Sequence, residues 1–464
     1  DANYLKEAFS LMIEKHPVLT TAIFYNNMPR PLQVTSTGRP LEFTEADYTA
    51  YSLDKAMQMA EELRQKDLER GFDFEQDMLI RMHFIRLAEG KSQMLLSFHH
   101  IILDGWCMSL ILGDLFSYYE KRNRGESYDK LVEEARAASQ AMTPYSRYVQ
   151  YLEQAKTSEA YEYWDRQLEA YENESSIPAD EPAEASKEQM KRYSIVIKPE
   201  ITEGMKHLMS EQEVTASTFC ETAWGILLQR YNKTDDIIFD KVTSGRNVPV
   251  KDVQEIAGLF VNTVPSRIMS SDEVTIQELL AQVKEADNDS EQYATVSLAD
   301  IKKRAGIENG QVGSLYAFEN YYVKENVTGQ SEYALKAQPV YAREQTEYPL
   351  TLSMNMSGNQ LHAELLYNPN EYADTQIERI LVHFEQILMQ MAENLQQKVS
   401  ALTLVTEEEK KRILTQFNET DRGYKEYENS FSSLLEKQAE RIPHKIALIS
   451  PERQVTYEEF NKQV

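Results

Sequence analysis

Residues 97–106, SFHHIILDGW, constrain the fold of this chain most tightly: an apolar run must end, turn and restart as a helix within a few positions. Met94, Leu95, Leu96 and Phe98 read as a buried strand. Trp106, Leu110, Ile111 and Leu115 recur near helical spacing. His99 and His100 therefore fall where the strand ends, and Asp104–Gly105 where the helix begins.

That placement limits the chemistry. Successive strand residues point to opposite faces, so at most one of the two histidines looks into a given cleft. Imidazole is the side chain best suited to moving protons near neutral pH. A helix N-terminus adds unpaired N–H groups and the positive end of a dipole, which suit a developing oxyanion. By itself the pattern fits packed, hydrogen-bonded histidines as well as catalytic ones.

At 464 residues the chain exceeds one ordinary core, so two or three domains are expected. It begins at Asp1 and is expected to be a piece of something longer. No apolar stretch approaches the ~18 residues of a membrane span. Lys and Arg number 49 against 75 Asp and Glu, a net charge of −26 with no basic run. Neither nucleic acid nor an anionic membrane is therefore the expected partner. The two cysteines, Cys107 and Cys220, lie far apart in helix-like apolar segments. Neither a disulfide framework nor a CxxC metal site is expected, and a reducing, cytoplasmic location fits.

Periodicity predicts helices over 3–16, 54–69 and from Asp104–Gly105 to about Arg122, with an aromatic-rich helical stretch over 143–170. A short strand at 22–25 is followed by a polar, proline-containing loop to about residue 40. A hairpin strand over 79–88 precedes the strand that ends at the histidines. Residues 172–190 turn acidic and proline-containing, which marks a first boundary. Beyond it strands are expected at 193–197, 313–320, 350–358 and 361–368, with a strand and then a turn over 237–246. Helices are expected at 200–210, 216–231, 275–287 and 374–395, with a glycine-hinged apolar segment at 256–268. A charged helix begins at Thr406, and 431–464 opens a new unit in which Thr456 and Glu459 have capping-box spacing. Its roughly 34 residues cannot bury a core alone, so it reads as the truncated front of a further domain.

FHHIILDGW, residues 98–106, resembles the HHxxxDG signature of condensation domains from nonribosomal peptide synthetases. EKHPVLTTAIF (14–24) looks like that family's RHExLRTxF element, with departures at Lys15, Pro17 and Thr20, and PYSRYVQYL (144–152) is similar to its YxDxAxW element. VTSGR (242–246) and IAGLFVNTVPSR (256–267) resemble the SGR and GxFVNTxPxR elements, and REQTEYPL (343–350) the late RxxSxxPL element. Residues 431–464 look like the opening of an adenylation domain. The resemblance implies an α/β fold of two chloramphenicol-acetyltransferase-like lobes in a V, each a mixed sheet flanked by helices. The expected limits are 1–175 and 176–405 for the lobes, 406–430 for a linker and 431–464 for the adenylation start. A segment of the second lobe is expected to cross over as a latch.

The implied activity joins a donor aminoacyl or peptidyl thioester to the amine of an acceptor aminoacyl thioester, forming an amide. The chain itself is expected to bind no cofactor or metal. Substrates ride on the 4′-phosphopantetheine arms of upstream and downstream peptidyl carrier domains, beside an adjacent adenylation domain, and the isolated piece is expected to be monomeric. His100 is implied to face the tunnel between the lobes, taking a proton from the amine or positioning it. Gly105 is implied to offer its N–H to the oxyanion. His99, on the opposite strand face, joins the catalytic set in a chiefly structural role. Asp104 is expected to cap the helix or pair with Arg246. Asn262, Tyr348 and Trp106 are candidates for the tunnel wall; for Asn262 satisfying a bulge or a strand crossing is the alternative, and Trp106 is read as core packing more than substrate contact. Epimerization, other acyl transfer on the same fold and a non-catalytic carrier-docking role are the alternatives.

Overall fold

Local apolar spacing and capping build the first layer. In the computed structural model, which describes residues 1–36, 38–180, 186, 189–307, 310–319, 346–418 and 430–464, two units are compact: Asp1–Leu404 and Val405–Val464. The first opens with α1 (Ala2–Lys15), capped by the Asp1 carboxylate and burying Leu5, Phe9, Met12 and Ile13. β1 (Thr21–Phe24) and β2 (Leu32–Thr35) pair antiparallel, so the loop expected up to residue 40 contains a strand. All four β2 residues are exposed, and a strand without a buried face leaves no alternation to read.

β3 (Phe43–Asp47), another strand without strong patterning, is followed by α2 (Leu53–Arg70), β4 (Ile80–Ala88) and β5 (Lys91–Phe98). The sheet runs β3-β4-β5, with β3 parallel and β5 antiparallel to β4. Ala56 and Ala60 of α2 cover Ile85 and Leu87 on one face. Ile80 and Met82 share the other core with α1, with α3 (Gly105–Asn123) and with Leu131 and Ala135 of α4 (Tyr128–Ala141).

α5 (Ser146–Ala155) and α6 (Ser158–Gln167) precede residue 175, yet both pack on the second lobe. Tyr148 of α5 clusters with Val253, Ile256 and Phe260, and Tyr163, Trp164 and Leu168 cluster with Ile238, Val264 and Ile301. The second lobe consists of β6 (Lys191–Val196), α7 (Pro199–Gln212), α8 (Ala216–Asn232), β7 (Asp236–Thr243), β8 (Asn262–Met269), α9 (Ile276–Tyr293), α10 (Leu298–Ala305), β9 (Ser314–Phe318), β10 (Leu350–Ser357), β11 (Gln360–Tyr367) and α11 (Asp374–Glu393). Among the described residues its sheet order is β6-β11-β10-β9-β7-β8, with β9 parallel to both β7 and β10. α8 is the central helix, with Phe219, Trp224, Leu227 and Leu228 fully buried.

Adjacent residues of β7 point to opposite faces and meet opposite chemistry. Lys241 bonds to Glu221 of α8 at 3.0 Å and to Asp287 of α9. Asp240 is fully buried and paired with Lys302 of α10.

The second unit holds α12 (Glu407–Thr415), α13 (Phe431–Arg441), β12 (Ile446–Ile449), β13 (Gln454–Thr456) and α14 (Tyr457–Gln463). Thr456 and Glu459 form the expected capping box. The loop expected at 421–430 lies almost wholly outside the described residues.

Gly225 lets α8 approach β8, since a Cβ there would stand 2.5 Å from Ile268 Cγ1 and 3.0 Å from Ile268 Cβ. A branched side chain fixed on a strand cannot swing aside. Alanine favours a helix over glycine by about 1 kcal/mol, but overpacking costs about 1–3 kcal/mol. Gly225→Ala is therefore expected to lower the urea midpoint, and a midpoint at or above wild type would refute that contact.

Candidate active site

β5 stops at Phe98, so both histidines lie in the turn after it rather than on alternating strand positions. The expected separation of roles by strand alternation therefore does not apply, and the turn separates them instead. His99 is half-buried, with its ring edge-on to Phe74 at 4.7 Å and to Phe72 at 6.3 Å. Its N–H donates to the Leu79 carbonyl at 2.9 Å, and its Nδ1 accepts from the Ile101 N–H at 3.1 Å. That bond assigns the neutral ring's proton to Nε2. Burial, followed by the neighbouring His100 charge, lowers the His99 pKa. His100 is exposed, and among the described residues its imidazole has no hydrogen-bond partner.

Behind His99 stands a network that no spacing in the sequence announces. Buried Asp67 accepts from Arg81 and Ser97, each at 2.5 Å, and sits 2.8 Å from His83 Nε2. Burial would raise its carboxyl pKa, but the bonds from His83, Arg81 and Ser97 outweigh burial and hold it well below the usual range. Arg81 also lies over the Phe72 ring at 4.1 Å. Arg81 and His83 alternating within the apolar run LIRMHFIRLA were the available signal.

Asp104 is fully buried as the N-cap of α3, its Oδ1 accepting from the Cys107 N–H at 3.1 Å. Arg246 Nη2 reaches it from the second lobe, 3.3 Å from each carboxylate oxygen, and Oδ2 also accepts from the Phe260 N–H at 3.0 Å. Arg246 Nη1 donates to the carbonyls of Val253 at 2.6 Å and Ile256 at 3.0 Å, while its guanidinium stacks on Phe260 at 4.0 Å. Gly245 has φ +63°, and a Cβ there would collide with the Phe260 carbonyl at 1.8 Å. Gly105, half-buried, is the first residue of α3, where helix N–H groups lack helical acceptors.

Trp106, expected in the core, is only half-buried and donates across the lobes to the Gln254 carbonyl at 3.0 Å. Asn262 uses its amide within the second lobe, donating to Ala294 at 2.6 Å and Val296 at 3.0 Å and accepting from Thr263 at 2.9 Å. It ties β8 to the α9–α10 junction. Tyr348 donates to Asp240 Oδ2 at 2.6 Å, and burial raises the pKa of both groups. Arg343, from the last of the recognised sequence elements, lies outside the described residues.

The condensation-domain model matches residues 1–414. The chain belongs to the condensation-domain family. Bacitracin synthase 1 of Bacillus licheniformis is 30% identical over 99% of this chain, and tyrocidine synthase 2 of Brevibacillus parabrevis is 28% identical over 100%. The chain spans only 9% and 13% of those relatives' lengths. Among solved structures, a four-domain nonribosomal peptide synthetase bound to AMP and glycine has TM-score 0.73 at 17% identity, covering 98% of this chain and 35% of that one. The first condensation domain of the calcium-dependent antibiotic synthetase has TM-score 0.66 at 16% identity, covering 88% and 91%. The condensation-domain fold is therefore the fold of this chain, with a mixed sheet and helices in each lobe.

Asp104→Ala removes a cap and leaves the Arg246 charge buried without its partner. A loss of about 3–5 kcal/mol is expected in chemical denaturation, and a loss below about 1 kcal/mol would deny the pair its structural weight. His99→Asn keeps an acceptor for Ile101 but removes a titrating ring. Folded His99 resists protonation more than the unfolded chain does, so its neutral form stabilises fully above about pH 6.5 and less as pH falls below that. Wild type should lose stability from about pH 7 to 5 more steeply than His99→Asn, and parallel urea-stability curves would contradict this.

Proposed function

We propose that the turn at His100 is where the amine of an acceptor aminoacyl thioester attacks the carbonyl of a donor aminoacyl or peptidyl thioester. The observation that carries this reading is the exposed imidazole of His100, without a hydrogen-bond partner among the described residues, in the turn that precedes α3. The amine forms the new C–N bond, and His100 takes its proton or holds the amine in line. The carbonyl oxygen gains charge facing the Gly105 N–H. The C–S bond then breaks, and the proton leaves with the departing thiol. Gly105 and His100 touch the reacting atoms, whereas His99, Asp104 and Arg246 position them.

Both thioesters ride on phosphopantetheine arms of separate carrier domains, and holding them together supplies much of the rate. On this reading residues 1–175 and 176–405 are the two lobes, with α5 and α6 of the first stretch packed on the second, and 406–430 links them to the opening of an adenylation domain at 431–464. The alignment of curated relatives across 99% of the chain, past the end of the condensation match at residue 414, supports that continuation. Two free, buried cysteines suit a reducing cytoplasm.

The test supplies two loaded carrier proteins and follows dipeptidyl thioester by intact-protein mass spectrometry. Wild type should form the product, and His100→Ala, folded, should be slower by about 10²–10⁴-fold. Full activity in His100→Ala would remove the assignment. Inversion of one loaded residue without dipeptide would replace amide formation by epimerization.

A further inference from the structure

The Cys107 thiol has no part in the proton path, yet it is buried where the start of α3 meets Gly258 and Arg246. It lies at the start of α3 and is 0% exposed. Its Sγ accepts from the Gly258 N–H at 3.3 Å and stands 3.1 Å from the Gly258 carbonyl oxygen. It also stands 3.1 Å from Asp104 Oδ1 and 3.3 Å from Arg246 Nη2. The Tyr145 ring also packs against Gly258, so closely that a Cβ on the glycine would meet it at 2.2 Å. The Gly258 backbone is thus in contact with both an aromatic ring and the thiol.

Burial raises the pKa of this thiol to about 12, so it stays protonated and serves as both weak donor and weak acceptor. A methyl group offers neither function.

We infer that Cys107 is a positioning residue for the reaction at His100: its thiol fixes the first turn of α3 to Gly258 of the second lobe, and so fixes where Gly105 and His100 stand against substrates bound there. The inference rests on the amide-forming reading above. Gly105 follows closely on the turn at His100, and the Asp104 carboxylate is shared between the N–H of Cys107 itself and Arg246. Movement of the Cys107–Gly258 contact is therefore transmitted to the capping residue next to Gly105.

Cys107→Ala and Cys107→Ser separate positioning from bulk stability. With two loaded carriers, Cys107→Ala is expected to lower kcat on the order of tenfold, with KM for either carrier unchanged, because small misplacement of reacting groups is costly. Serine restores donor and acceptor and should recover kcat to within about threefold. Hydrogen exchange of the peptide spanning 253–262 reads the coupling without any turnover: Cys107→Ala should accelerate it and Cys107→Ser should not. Wild-type kcat in Cys107→Ala overturns the inference. So does a kcat loss that serine fails to rescue and that follows a fall in melting temperature, or unchanged exchange in Cys107→Ala. Absence of dipeptide from wild type would sink the amide-forming reading instead, while the exchange result would still decide whether the thiol couples the lobes.

Discussion

The buried pair between Asp104 and Arg246 is the constraint on which the site depends. Neither charge is left to water, so each must find its complement in the other lobe. Asp104 is at once helix cap, counter-ion and acceptor for the Phe260 N–H, which makes the start of α3 inseparable from the segment after Arg246. A pair of this kind adds little net stability over an apolar substitute, but it penalises any arrangement that separates its members. Its value here is geometric.

Around that pair, second-lobe backbone is held by side chains from the first-lobe side rather than by a strand partner. Trp106 holds the Gln254 carbonyl, Tyr148 the Phe260 carbonyl and Cys107 the Gly258 amide. On the other side of the turn, the rings of Phe72 and Phe74 flank His99, and Arg81, paired with Asp67, lies over Phe72. The exposed His100 therefore sits on a loop whose two ends are anchored by different networks, one inside the first lobe and one across the lobes.

What could be read from the residues was what depends on neighbours in the chain. The strand before His99, the helix after Asp104 and the capping box at Thr456 follow from spacing of a few residues, and they are present. β2 and β3 escaped because exposed or half-exposed strands carry no burial pattern. The meeting of Asp104 and Arg246, 142 residues apart, followed from no local rule and was suggested only by the order of motifs along the chain. Trp106 looked like a core residue because an indole on an amphipathic helix usually is one; its polar edge instead reaches Gln254, a contact that depends on tertiary placement. Asn262 was ambiguous for the same reason, and among the described residues its side-chain bonds lie within the second lobe.

On β7, Asp240 and Lys241 each lie in their own ionic surroundings on their own face of the sheet: Asp240 with Lys302 and Tyr348, Lys241 with Glu221 and Asp287. A slip of β7 by one residue would exchange the faces and bury carboxylate against carboxylate and ammonium against ammonium. The strand is thus keyed by charge sign, and Arg246 follows shortly after its end at Thr243. The key that forbids a register error in the sheet also decides how far along the chain the guanidinium emerges, and so whether it arrives opposite Asp104.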